Sequence, residues 1–302
     1  MTLILTVQSP ETIWTLADRR LSYRGRRPKD HARKVMFLET NDGVAILGYA
    51  GLGATARGTE PSDWMSAVLR GRNLPLEQSL RILTDAFKAQ FPRHMRAMPG
   101  VPAHTVIIPA FLNSEVKLYS IDLAFTPNRS SQMFRHTRWV VNNSTRAPRL
   151  GLAGSGAVYL IQNKRKWVRS LLRMVKACDR QQVSELAVAD HLANLNNEVH
   201  LHDKSVGPRC LIAWRHRKGG VRNGGGAHHF YTGIVRDADL PALPWIGCGM
   251  DMTAIALAVM PLWIERAKAL LAASRQKNGT RTNLMQRWPT SRTPPTKTFV
   301  ST

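Results

Sequence analysis

A threonine that stands first in a mature chain carries a hydroxyl nucleophile and a free α-amino group on the same residue. The α-amino group, with a pKa of about 7.7 to 8.0, can take the hydroxyl proton as a built-in base. Thr2 takes that place once Met1 is removed. An ammonium beside the amine would disfavour its protonated form and keep it a base near neutrality, and a carboxylate would hold that ammonium in position. Asp18 and Lys34 supply one of each. Taken singly they read as a solvated acid and a solvated base, and a Met-Thr start is common. The argument for chemistry therefore rests on whether the fold brings all three together.

The elements that must do so are strands. Leu3 to Val7 is apolar and β-branched, Gln8 to Thr12 holds a Ser-Pro turn signal, and Ile13 to Ala17 is a second apolar run, which predicts a hairpin ending at Asp18. Lys34 opens a further strand, Lys34 to Glu39, and Asn41-Asp42-Gly43 turns into Val44 to Leu47. Strand, turn and strand place the three residues at one sheet end.

A mature-terminal threonine followed by Asp at +16, Lys at +32 and Gly at +46 resembles the pattern of proteasome β subunits and the HslV peptidase; Thr2, Asp18, Lys34 and Gly48 match it. The resemblance implies that the Gly48 N–H belongs to an oxyanion hole. It also implies that Ser155, in Gly154-Ser155-Gly156, and Asp203 assist proton shuttling beside the threonine. By the same resemblance Arg20 belongs to the site and Leu21, Ala32, Ile46 and Ala50 line an apolar pocket for the substrate side chain. The fold implied is α+β, a four-layer αββα sandwich of the N-terminal nucleophile hydrolases, acting on polypeptides as a homo-oligomeric ring and needing no metal or organic cofactor. An ATPase or an acidic protein is a conceivable partner. Two departures, Leu3 in place of a small hydroxyl residue and Val206 in place of a serine near Asp203, keep a non-catalytic assembly subunit as an alternative.

The body of the chain alternates in type. Helices are expected from Ser62 or Asp63 as N-cap, with a break at Gly71 to Pro75, then over Val158 to Cys178 and Arg180 to Val199. Strands are expected at His104 to Leu112 and Glu115 to Phe125 around Asn113-Ser114, at Trp139 to Asn142, Arg149 to Ala153, Arg209 to His216 and His228 to Val235. This divides into a main domain over 1–250, a C-terminal helix over 251–273 and a basic tail over 274–302 that lacks acidic residues and is expected to be disordered.

Charge and cysteines bound the remainder. Of 302 residues 43 are Lys or Arg and 20 are Asp or Glu, a net +23 that attracts polyanions. The basic clusters are scattered and match no nucleic-acid reading element, so nucleic-acid binding is a minor alternative to a basic exterior, which could serve as a docking face for an acidic partner or substrate. Three scattered cysteines form no disulfide framework, and the longest apolar run, Met252 to Ile264, is too short to cross a bilayer. A soluble cytoplasmic protein is expected. His200, His202 and Asp203, read as a strand with Cys210 nearby, superficially suggest a metal site but lack the remaining ligands at zinc spacing.

Overall fold

A computed structural model describes residues 2–21, 27–51, 59–95, 104–125, 132–139, 149–217, 226–230 and 243–285. It is mixed α+β, and among the described residues it holds six helices and three sheets. The chain divides into two compact units, Met1–Thr253 and Ala254–Thr302.

In chain order the first unit begins with β1 (Ile4–Gln8), β2 (Thr12–Asp18), β3 (Arg20–Leu21), β4 (Lys29–Asp30), β5 (Val35–Glu39) and β6 (Gly43–Ala50). Two helices follow, α1 (Pro61–Leu69) and α2 (Leu76–Met95). Next come β7 (Thr105–Leu112), β8 (Glu115–Phe125), β9 (Gln132–Trp139) and β10 (Arg149–Ala153). Three more helices are α3 (Gly156–Gln162), α4 (Lys164–Asp179) and α5 (Glu185–His202), and β11 (Cys210–His216), β12 (Gly226–Phe230), β13 (Trp245–Gly247) and β14 (Met250–Asp251) complete the strands. The last helix is α6 (Met252–Met285). One sheet has the order β10-β1-β2-β11-β12, a second β14-β13-β5-β6-β7-β8-β9, and β3 pairs with β4 alone.

Strands β1 and β2 are buried on both faces, which is why apolar residues occupy both sides of each. Leu3, Leu5, Val7, Trp14 and Leu16 pack with the apolar stripes of α4 and α5. The alternate residues Ile4, Ile13 and Ala17 enter a separate core with Val35, Phe37, Ile46 and Ile107 from the second sheet. The other face of that sheet, carrying Met36, Leu47, Tyr49 and Ile108, packs against Met65, Leu80 and Phe87 of α1 and α2. The β7–β8 hairpin turns through Asn113 and Ser114, both at positive φ (49° and 65°), the handedness that suits tight hairpins.

Several boundaries differ from the sequence reading. Helix α1 opens at Pro61 with Glu60 as N-cap, two or three residues before the expected caps, because proline's fixed φ suits the first helical position. The single helix expected over Val158 to Cys178 is two, broken at Asn163, whose Nδ2 donates to the Tyr159 carbonyl (3.0 Å). Helix α5 begins at Glu185, where the Ser184 hydroxyl accepts from the Ala187 N–H. The stretch of His200 and His202 is the end of α5 and not a strand. Helix α6 continues twelve residues beyond Ala273, since Gly279 costs a helix only about 1 kcal/mol; residues 286–302 lie outside the described ones, as do 140–142 and 231–235 of the expected strands. Among the described residues no helix is long and apolar enough to cross a membrane.

Candidate functional site

Antiparallel pairing of β1 with β2 sets Ile4 opposite Ala17, which brings the residue before β1 level with the end of β2. Lys34 immediately precedes β5, and its carbonyl accepts from the Tyr49 N–H of β6 (2.8 Å). The result is a direct line of contact: Lys34 Nζ donates to Thr2 Oγ1 at 2.7 Å and to Asp18 Oδ1 at 3.0 Å. All three are buried, at 3 %, 0 % and 3 % exposure for Thr2, Asp18 and Lys34.

Asp18 is the hub of this end of the sheet. Oδ1 also accepts from the Leu3 N–H (2.7 Å), and Oδ2 accepts from the N–H groups of Arg20 (2.9 Å) and Gly207 (3.1 Å). With Lys34 Nζ these make four donors that satisfy the carboxylate. Burial pushes the Lys34 pKa below the ordinary lysine range, and the Asp18 charge opposes that shift without cancelling it.

Glycines permit the close approach of the opposite strand end. Gly154 has φ +88°, and a Cβ there would collide with the Thr2 carbonyl. That carbonyl accepts from the Gly156 N–H at 3.3 Å. Gly48 faces Ile4 and Thr15 across the inter-sheet core, where a Cβ would stand 2.9 Å from Ile4 Cγ2.

Ser155 and Asp203 are joined through a residue the sequence reading passed over. Ser155 Oγ lies 3.3 Å from Ser205 Oγ, and Ser205 donates to Asp203 Oδ1 through its hydroxyl and its N–H (2.9 Å). Ser205 sits two residues after Asp203, whereas the family pattern directed attention to the third, Val206, which is an apolar core residue here. Three other contributors were missed. Gly207 caps Asp18; Arg19 is buried and donates to the carbonyls of His31 (2.8 Å) and Ala32 (3.4 Å), fixing the segment that leads to Lys34. Glu60 and Asp63 hold the neighbouring Arg33, at 3.1 and 2.6 Å. Glu60 at the N-cap and Asp63 in the first turn of α1 were the available signal for the last.

The expected substrate-side residues divide. Leu21, Ala32, Ile46 and Ala50 are apolar and buried, but Ile46 and Ala50 belong to the core between the sheets. Arg20 is occupied by Asp30, in a two-pronged pair at 2.8 and 2.9 Å, and by the Lys204 carbonyl. Among the described residues no cluster of three metal-ligating side chains occurs. His200 Nδ1 is instead 2.7 Å from the Val206 carbonyl, and His202 stacks on Tyr159 at 4.4 Å.

No family model and no curated protein matches the sequence. Among solved structures the chain is similar to the Anbu complex from Pseudomonas aeruginosa, described as a helical assembly, at 12 % identity and a TM-score of 0.48, covering 97 % of this chain and 98 % of that one. It is also similar to Anbu, the ancestral beta-subunit, from Yersinia bercovieri (12 % identity, TM-score 0.44, 71 % and 81 % covered) and to Anbu from Hyphomicrobium sp. strain MC1 (12 % identity, TM-score 0.42, 71 % and 82 % covered). These neighbours are Anbu proteins, and that corrects the resemblance to proteasome β subunits and HslV drawn from residue spacing.

Proposed function

We propose that the chain is an N-terminal threonine hydrolase that cleaves amide bonds of polypeptides through an acyl-enzyme on Thr2 after removal of Met1. The observation that carries this reading is Lys34 Nζ, buried and shared between Thr2 Oγ1 and Asp18. In the first half-reaction Thr2 Oγ attacks the scissile carbonyl carbon and its proton passes to the α-amino group. The tetrahedral intermediate collapses, the peptide nitrogen leaves with that proton, and an ester on Thr2 Oγ remains. Water then attacks the ester, the α-amino group again taking and returning the proton. Lys34 tunes the amine and the hydroxyl, Asp18 holds Lys34, and the Gly48 N–H stabilises the oxyanion. Ser155, Ser205 and Asp203 form the shuttle on the far side.

The three separate cores support a four-layer αββα arrangement for the first unit. Self-association into a ring is part of the proposal, and light scattering at moderate salt tests it: an isolated monomer refutes the ring. The burial of Thr2 is the one observation that favours a non-catalytic assembly subunit. A β-lactone or epoxyketone followed by intact-mass spectrometry separates the two. An adduct on a chain beginning at Thr2, absent in Thr2→Ala, supports the hydrolase; a chain that retains Met1, or one that lacks it and takes no adduct, refutes it.

A further inference from the structure

Helix α4 has two chemically distinct faces. Trp167, Leu171, Val175 and Cys178 point into the core shared with the first sheet. The opposite face, together with the end of α3, forms an open groove of about 1140 Å³ with cations along its rim, among them Arg165, Arg169, Arg173 and Lys176. These four follow one another at three- and four-residue steps, which aligns them in a single stripe about 17 Å long at 1.5 Å per residue. Of the cations in the groove only Lys166 has an acidic partner among the described residues, Glu198. Beside the stripe runs a second one of apolar side chains: Val168 and Leu172 are partly buried, and Ile161 is 60 % exposed. A basic stripe costs a helix its own like-charge repulsion, and beside the exposed Ile161 and the half-buried Val168 and Leu172 it suits an occupant that is both acidic and apolar.

We infer that this groove is the docking site for an acidic amphipathic segment of a partner protein, which sets carboxylates against Arg165, Arg169, Arg173 and Lys176 and aliphatic side chains against Ile161, Val168 and Leu172. Three other occupants fit less well. A second copy of a chain carrying +23 is repelled by the stripe. A nucleic acid would find phosphate partners but no aromatic platform, since Trp167 is turned into the core with its Nε1–H on the Leu160 carbonyl (2.8 Å). A membrane surface needs the apolar side of an amphipathic helix to enter the lipid, and that side of α4 is already buried. The inference is independent of any chemistry at Thr2.

The test is fluorescence anisotropy of a fluorescein-labelled amphipathic helical peptide of glutamate, leucine and alanine, titrated with the full chain. Saturable binding is expected, weakening by about tenfold or more on R169E/R173E and when glutamine replaces glutamate in the peptide. L172Q should weaken it by about threefold or more, through the lost aliphatic contact. Arg169 and Arg173 are exposed, and thermal melting checks the fold; R165Q/R169Q is the substitute if the charge reversal unfolds the chain. Absent peptide binding, or affinity unchanged by both charge variants, overturns the inference. So does single-stranded DNA, or phosphatidylglycerol vesicles, binding as tightly as the peptide with no loss on L172Q.

Discussion

Replacing Lys34 with methionine removes the ammonium and keeps most of the side-chain volume. Breaking a buried ion pair by deleting one partner costs about 3 to 5 kcal/mol when the other charge is left alone. Asp18 is not left alone: the N–H groups of Leu3, Arg20 and Gly207 still bond it. The desolvation that lowers the Lys34 pKa is also relieved. The net loss should fall to about 2 kcal/mol, which for a unit of this size lowers Tm by about 4 to 8 °C. Reactivity should suffer far more, because proton handling at Thr2 loses its neighbour; general acid–base terms of this kind are worth about 100-fold to 10,000-fold. K34M is therefore expected to be folded and almost unreactive toward a β-lactone, with a melt by circular dichroism and adduct formation followed by mass spectrometry as the two readouts. Asp18→Asn should be the more destabilising, by about 3 to 5 kcal/mol, since its amide turns N–H groups toward backbone donors. K34M acylating at the wild-type rate, or D18N melting above K34M, would refute the reasoning.

Further expectations concern separate parts of the molecule. Gly154→Ala should cost about 1 to 3 kcal/mol in backbone strain and more from the collision with the Thr2 carbonyl, seen as a lower Tm; an unchanged melt contradicts the close approach. Ser205→Ala should leave Tm within a few degrees, losing a hydrogen bond worth about 1 kcal/mol, while slowing hydrolysis of a fluorogenic peptide by about tenfold or more. His104 is buried against Tyr49 Oη (2.7 Å), and burial lowers its pKa from 6.5 to about 4. Its folded pKa lies below the unfolded one, so the contribution is complete above pH 6.5 and is lost as pH falls toward 4. The loss is on the order of 3 kcal/mol, and His104→Gln should flatten denaturation midpoints measured across that window. Peptide-library profiling should favour leucine or phenylalanine over arginine or glutamate at the cleaved position; the reverse order would show that Leu21 and Ala32 do not line the pocket.

The meeting of Thr2, Asp18 and Lys34 was legible because it depends on strand ends. The apolar runs before Asp18 and after Lys34 define a hairpin and a following strand, and pairing them leaves little freedom in where those two residues fall. Helix limits were less legible. Nothing in the periodicity of Val158 to Cys178 marks Asn163 as a break, since the apolar stripe continues across it and the break lies in the backbone at Asn163 (φ −101°, ψ 20°). His200 and His202 were set on a strand because alternation over so few residues cannot be told from the end of a helix. Ser205 and Gly207 were invisible for a different reason: they act through a hydroxyl and a backbone N–H on a loop, where spacing carries no face.

The double-sided burial of β1 has a consequence for how the protein is made. Leu3, Leu5 and Val7 are committed to one core and Ile4 to another, so sliding the strand by a single position would exchange the two sets and expose mismatched surfaces. The chain thus measures its own beginning. An added residue ahead of Thr2 cannot be taken up by a shift in register, so on the proposed function a recombinant product with a ragged start would be uniform in its strand pairing and mixed in its reactivity.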